Sequence, residues 1–165
     1  MPNHHGWLPL FVAGLLLSGR TEAGEWTYER VQRTDGDMSI VVTSQEHHGF
    51  GLKCTSGGLI AQYLTDDPMN DRQLHQANAD YVTLAIETDQ ANFRLAGELQ
   101  RTAEGPMFVA WAGLDVLEAL QRAKGQITLS LEVAGRRSHA RSFPLQGASP
   151  VLASLARHCR SGPTL

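Results

Sequence analysis

The chain has 165 residues, of which 42% are hydrophobic and 19% charged, so its size and composition fit one globular domain. Fourteen Lys and Arg against 17 Asp and Glu give a net charge of −3, which is too balanced for a phosphate-binding surface, and we expect no nucleic-acid partner. Sixteen glycines and seven prolines fall short of a low-complexity composition, so disorder over most of the length is excluded.

An apolar run over residues 8–17 is the first feature in chain order, and Thr21 and Ala23 after it are small residues at the positions that a signal peptidase reads. As a helix the run would span only about 15 Å, half of a bilayer core, so it is too short to cross a membrane. We interpret residues 1–23 as a secretory signal peptide and residues 24–165 as a single exported domain, periplasmic or secreted, with no membrane span. Because no Lys or Arg precedes the run, a buried N-terminal segment or a misassigned start codon is the alternative.

The first half of the exported domain reads as short strands. An Asp-Gly turn joins two strands into a hairpin, since Asp-Gly supplies the positive φ of a tight turn. The predicted strands are residues 26–33, 38–45, 50–55, 59–64, 82–87 and 93–95. Residues 65–80 are polar and predict a loop, with one helical turn inside it as the alternative.

The second half contains the two predicted helices. After a strand over 107–112, Asp115 is expected to cap the first helix, which Gly125 would end. Residues 127–133 alternate strictly and predict a strand that turns back into residues 138–145. Ser149 is then expected to cap a last helix, with Pro150 at its first position. Many antiparallel strands with two short late helices predict an α+β, β-sandwich-like domain.

Cys54 and Cys159 are the two cysteines of the chain, an even count in a compartment expected to be oxidising. Cys54 shares a strand face with Phe50 and Leu52, and Cys159 lies on the apolar stripe of the last helix with Leu155. Both sulfurs should therefore point into the core. We predict a Cys54–Cys159 disulfide that attaches the last helix to the sheet, with two separate buried thiols as the alternative.

The last third of the domain resembles the ending of a loose group of exported bacterial proteins. Phe143, Leu145 and Gly147 form a Phe-x-Leu-x-Gly turn into a helix that ends near a cysteine, and the partner cysteine lies on an early strand. This arrangement resembles the type VI secretion associated proteins of the VasI/TagO kind and, more loosely, the invasion-associated locus B family. The resemblance implies a periplasmic, disulfide-bonded, noncatalytic protein that assists a secretion apparatus or another envelope function.

Residues able to bind metal or catalyse a reaction are scattered. His47 and His48 are adjacent and predict loop histidines rather than metal ligands, because neighbouring residues of a strand face opposite sides. The group Asp66, Asp67, Asn70 and Asp71 departs from calcium-loop spacing and predicts a solvated acidic loop. No cofactor is expected.

Glu87 and Asp89, two residues apart on one face of a predicted strand, are the candidate carboxylate pair for acid–base chemistry. An exposed polar strand face explains them equally well. Ser149 fails the G-x-S-x-G pattern of a nucleophilic serine, because Pro150 follows it.

Arg136, Arg137 and Arg141 form a small basic patch on the last hairpin, and we take them as candidate partner-binding residues. The function predicted is that of a noncatalytic interaction protein whose sheet face or basic hairpin docks on a protein partner in the envelope. The alternatives are a secreted inhibitor or immunity protein, and a hydrolase that acts on an envelope substrate.

Overall fold

The computed structural model describes residues 24–32, 38–138 and 140–161. The predicted signal peptide and the first Asp-Gly turn lie outside these residues. Ten strands occur in the described chain: β1 (Trp26–Val31), β2 (Met38–Gln45), β3 (His48–Thr55), β4 (Gly58–Leu64), β5 (Val82–Glu87), β6 (Asn92–Arg101), β7 (Pro106–Ala112), β8 (Gln126–Val133), β9 (Arg136–Arg137) and β10 (Arg141–Pro144). The helices described are α1 (Asp71–Ala79), α2 (Leu114–Arg122) and α3 (Ala148–Ser161).

All described strands belong to one antiparallel sheet in the order β1-β2-β3-β4-β7-β6-β5-β8-β10, and β9 pairs with β8. Strand β6 connects the two halves, because its first part pairs with β5 up to Gly97 and its last part pairs with β7 from Glu98 onward. A Cβ on Gly97 would lie 2.3 Å from the carbonyl oxygen of Val109. Only a glycine fits where β6 changes partner.

The sheet curves around its main core, and Ile40, Val42 and Met107 form a second, smaller apolar cluster. Phe50 on β3 and Leu129 on β8 are both fully buried and belong to the same apolar cluster, although their strands lie in opposite halves of the sheet. The strands at the two ends of the order also meet, since the indole Nε1 of Trp26 on β1 donates to the carbonyl oxygen of Pro144 on β10 at 2.7 Å. Helix α3 packs against β1, β2, β3 and α2, and its Leu152 and Leu155 are fully buried.

The predicted fold is confirmed: it is mainly antiparallel, with two late helices and one disulfide between Cys54 and Cys159. The hairpin formed by β5 and β6 and the return of β8 into β10 are also present. In the described part of the chain, no helix combines the length and the apolar character that crossing a membrane requires.

Three predictions about the helices were wrong. Residues 71–79 form the nine-residue helix α1 rather than a loop or a single helical turn. Its start is fixed because Asn70 accepts from the backbone of Gln73 while the Gln73 side chain accepts from the backbone of Asn70, both at 2.9 Å. Helix α2 begins after Gly113 with no side-chain cap, so Asp115 lies in its first turn. Helix α3 begins at Ala148, which places Ser149 inside it.

Candidate functional site

The disulfide attaches the last helix to the concave face of the sheet. Cys54 on β3 is 3% exposed and faces the core between Ser39 and Leu59 on the neighbouring strands. It is bonded to Cys159 of α3, 105 residues later in the chain. The tether thus holds α3 over the strands that form the first half of the sheet.

Two of the three predicted partner-binding arginines are already bound to carboxylates. Arg137 donates to Glu87 at 2.8 Å and to Glu132 at 3.0 Å, and Arg94 on β6 joins the same network through Glu132. The three arginines therefore do not form a patch of uncompensated charge. Arg136 is exposed on β9 and is the arginine that best retains the predicted role.

Arg141 makes a two-pronged ion pair with Asp66, which lies just after β4. Its Nη2 is 2.8 Å from Asp66 Oδ2 and its Nε is 3.3 Å from Oδ1. Bidentate geometry of this kind is the stronger form of an arginine–carboxylate pair. The hydrogen bond from Arg141 lowers the pKa of the Asp66 carboxyl below its ordinary value, so this carboxylate is ionised at neutral pH.

The polar side chains of the predicted acidic loop contact different parts of the fold. Asp66 binds Arg141, Asn70 caps α1, and Asp71 pairs with Arg101 of β6. Within the described residues, no three His, Cys, Asp or Glu side chains lie together in a way that would hold a metal ion.

An open groove of about 700 Å³ lies beside the Asp66–Arg141 pair. Its walls are the loop over residues 65–70, the first turn of α1, and the turn between β6 and β7. Asp67 and Glu104 contribute negative charge to the lining, Arg101 contributes positive charge, and prolines and a methionine contribute apolar surface. A concave surface of mixed polarity can receive a peptide segment or a small polar ligand.

His48 is the titratable residue that the sequence prediction misplaced. Instead of lying in a loop, it opens β3, is 5% exposed, and contacts the ring of Phe143 on β10 edge-on, with 5.0 Å between ring centroids. Its Nδ1 atom is buried without a hydrogen-bond partner in the described structure. Burial lowers the pKa of His48, against the opposing pull of the Asp66 carboxylate.

Tyr63 lies beside the same group of side chains. It is 1% exposed, and burial together with the charge of Asp66 raises the pKa of its hydroxyl. Tyr63 therefore stays neutral over the physiological range.

The residues considered for catalysis have separate local partners. Glu87 accepts from Arg137, whereas Asp89 accepts from the backbone N–H of Lys124 at 3.0 Å. Ser149 lies in the first turn of α3, away from the groove lining.

A signal for His48 was present in the sequence. His48, Phe50, Leu52 and Cys54 alternate with period two, so the face assigned to Cys54 also includes His48. The Asp66–Arg141 pair joins residues 75 positions apart, and the sequence contains no signal for it.

These features define a class, a β-rich domain with a curved antiparallel sheet and a late helix attached by a disulfide. The solved structure of invasion associated protein B from Bartonella henselae has a fold similar to that of this chain, with a TM-score of 0.56 and 10% sequence identity. The similarity covers 86% of this chain and all of that chain. No family model and no curated protein matches the sequence.

Proposed function

We propose that this chain is an exported, noncatalytic interaction protein of the bacterial envelope, related to the invasion-associated locus B proteins. The observation that carries the proposal is the disulfide between Cys54 and Cys159, because such bonds form and persist in oxidising compartments and are rare in the cytosol. The similar fold of invasion associated protein B supports it, as does the signal peptide predicted over residues 1–23.

The proposed docking region combines the hairpin that β8 forms with β9 and β10 and the adjoining groove. Asp66 lies in the groove lining and also holds Arg141 of β10, so the two surfaces adjoin. Arg136 offers an exposed positive charge on the same hairpin, while Asp67 and Glu104 offer negative charge in the groove. A protein segment that carries both signs of charge would complement this region.

An accessory role in type VI secretion is the finer form of the proposal, supported by the sequence resemblance to the VasI/TagO proteins. An inhibitor or immunity protein would use the same surface on a different partner. The hydrolase alternative has less support, because its carboxylates are engaged separately: Asp66 by Arg141, Asp71 by Arg101 and Glu87 by Arg137.

Export is tested by producing the full chain in a bacterial host and fractionating the cells. We expect the protein in the periplasm, with an N-terminus at Gly24 and with Cys54 and Cys159 resistant to alkylation until a reductant is added. An uncleaved cytoplasmic protein with two reactive thiols would refute the proposal.

Docking is tested by cross-linking to an envelope fraction of the source bacterium, with Arg136→Glu compared against Arg122→Glu. Both substitutions reverse an exposed arginine, but Arg122 lies on α2, outside the proposed region. We expect Arg136→Glu to weaken a specific cross-link about tenfold, which corresponds to about 1.4 kcal/mol. Equal cross-linking by the two variants would exclude the hairpin from the interface.

A further inference from the structure

The sheet closes between β10 and the first half of the sheet through side chains. Among the described strands β10 pairs only with β8, so no backbone ladder joins it to β1, β2 or β3. We call the contacts that do join them the seam. The seam consists of the Trp26–Pro144 hydrogen bond, the His48–Phe143 ring contact and the Asp66–Arg141 ion pair.

His48 lies inside this seam in its neutral form. It is 5% exposed, and the ring against it belongs to Phe143, a fully buried residue of β10. The charged and titratable groups that act on it are Asp66 after β4, Arg141 on β10, and Glu46 and His47 in the preceding turn. Among these, Asp66 favours an imidazolium, but its carboxylate already accepts both hydrogen bonds of Arg141.

We propose that His48 makes the seam acid-sensitive: a proton taken up by its imidazole releases β10 from β3, while the disulfide keeps α3 attached to the sheet. A buried imidazolium has lost its hydration, and the contact with the edge or face of Phe143 does not replace those hydrogen bonds. Opening the seam returns the ring to water. Because Cys159 is bonded to Cys54 on β3, the opening stays local to β10 and its contacts.

The direction of the pH dependence follows from the protonation of His48 in the closed seam and in the open seam. An exposed histidine has a pKa near 6.5, and burial lowers the pKa of His48 in the closed seam. Above pH 6.5 both states are neutral and this residue adds no pH dependence. Below pH 6.5 the open state takes up a proton that the closed state does not, so the open fraction rises by up to tenfold per pH unit until the closed-state pKa is reached.

The Asp66–Arg141 pair does not produce this transition. Arg141 lowers the pKa of the Asp66 carboxyl, so the pair keeps its charges through the range in which His48 titrates. A transition between pH 6.5 and 5 therefore belongs to a histidine, and His47 in the adjacent turn supplies a matched control because it is exposed.

The test measures hydrogen exchange in the full chain, with NMR as the detection method. The indole N–H of Trp26 donates to Pro144 and reports the seam directly, and its signal is assigned with Trp26→Phe. We expect its protection factor, corrected for intrinsic exchange, to fall as the pH drops from 7.5 to 5, by up to tenfold per unit below 6.5. The amide of Leu52 on β3 should keep its protection, since the opening is local.

His48→Phe keeps an aromatic ring against Phe143 and removes the titration, so the pH dependence should disappear, whereas His47→Gln should retain it. The ring protons of His48 in the unmodified protein give an independent measurement, and they should titrate below 6.5. A protection factor independent of pH, the same dependence in His48→Phe, or a His48 pKa of 6.5 or above would overturn the proposal. Parallel loss of protection at Leu52 would also overturn it, because the event would then be global unfolding.

Discussion

Removing the Cys54–Cys159 disulfide should lower the free energy of unfolding by about 4.7 kcal/mol. The bond closes a loop with a sequence separation of 105, and the chain-entropy model assigns about this value to a loop of that length. A domain of this kind is stable by about 5–15 kcal/mol, so the loss is a large fraction of its total stability. The double variant Cys54→Ala with Cys159→Ala, unfolded in urea beside the oxidised protein, measures it.

The effect should arise in the unfolded chain rather than in the core. Leu152 and Leu155 keep α3 buried against the sheet without the bond, so the circular dichroism of the folded variant should match that of the parent protein. The free energy of unfolding should fall more steeply with urea concentration, because an unfolded chain without the cross-link exposes more surface. If the variant loses less than about 1 kcal/mol of unfolding free energy and its slope with urea concentration is unchanged, the disulfide is not the main restraint on the unfolded chain.

Three further substitutions test the sheet, the first helix and the ion pair. Gly97→Ala should destabilise the fold by about 3 kcal/mol in urea unfolding, because its Cβ would clash with the backbone of Val109. Asn70→Ala should cost about 1 kcal/mol in thermal unfolding, since it removes the capping side chain of α1. Asp66→Asn should lower stability at pH 7 by about 1 kcal/mol. That difference should shrink as the pH falls below about 3.8 and vanish below the lowered pKa of the Asp66 carboxyl, because the stabilisation is fully present above the unfolded pKa and is lost as the pH falls through the folded pKa.

The parts of this fold that could be predicted are those whose apolar residues recur with a regular period in the sequence. Cys54 and Cys159 could be paired because one lies on a period-two apolar face and the other on a helical apolar stripe, and both patterns point inward. Helix α1 lacks such a stripe, since Ala77 is its only buried residue, so periodicity did not detect it. Its capping box, an Asn followed three residues later by a Gln, was the detectable signal.

The charged contacts depend on registers that no local pattern encodes. Arg137 reaches Glu87 because β9, β8 and β5 lie side by side, which brings together residues 50 positions apart. Three nearby arginines in the sequence therefore predicted a basic surface that the folded chain largely neutralises. A sequence reports how much charge a hairpin carries, whereas sheet order decides how much of it is compensated.

This compensation bears on how a partner would bind. A carboxylate from a partner must displace Glu87 or Glu132 to reach Arg137, and must displace Asp66 to reach Arg141, so it exchanges one ion pair for another with little net gain. Arg136 requires no such exchange among the described residues. The specificity of the hairpin should therefore depend more on Arg136 and on the shape of the adjoining groove than on the total of three arginines, and its binding should weaken only modestly as salt is raised.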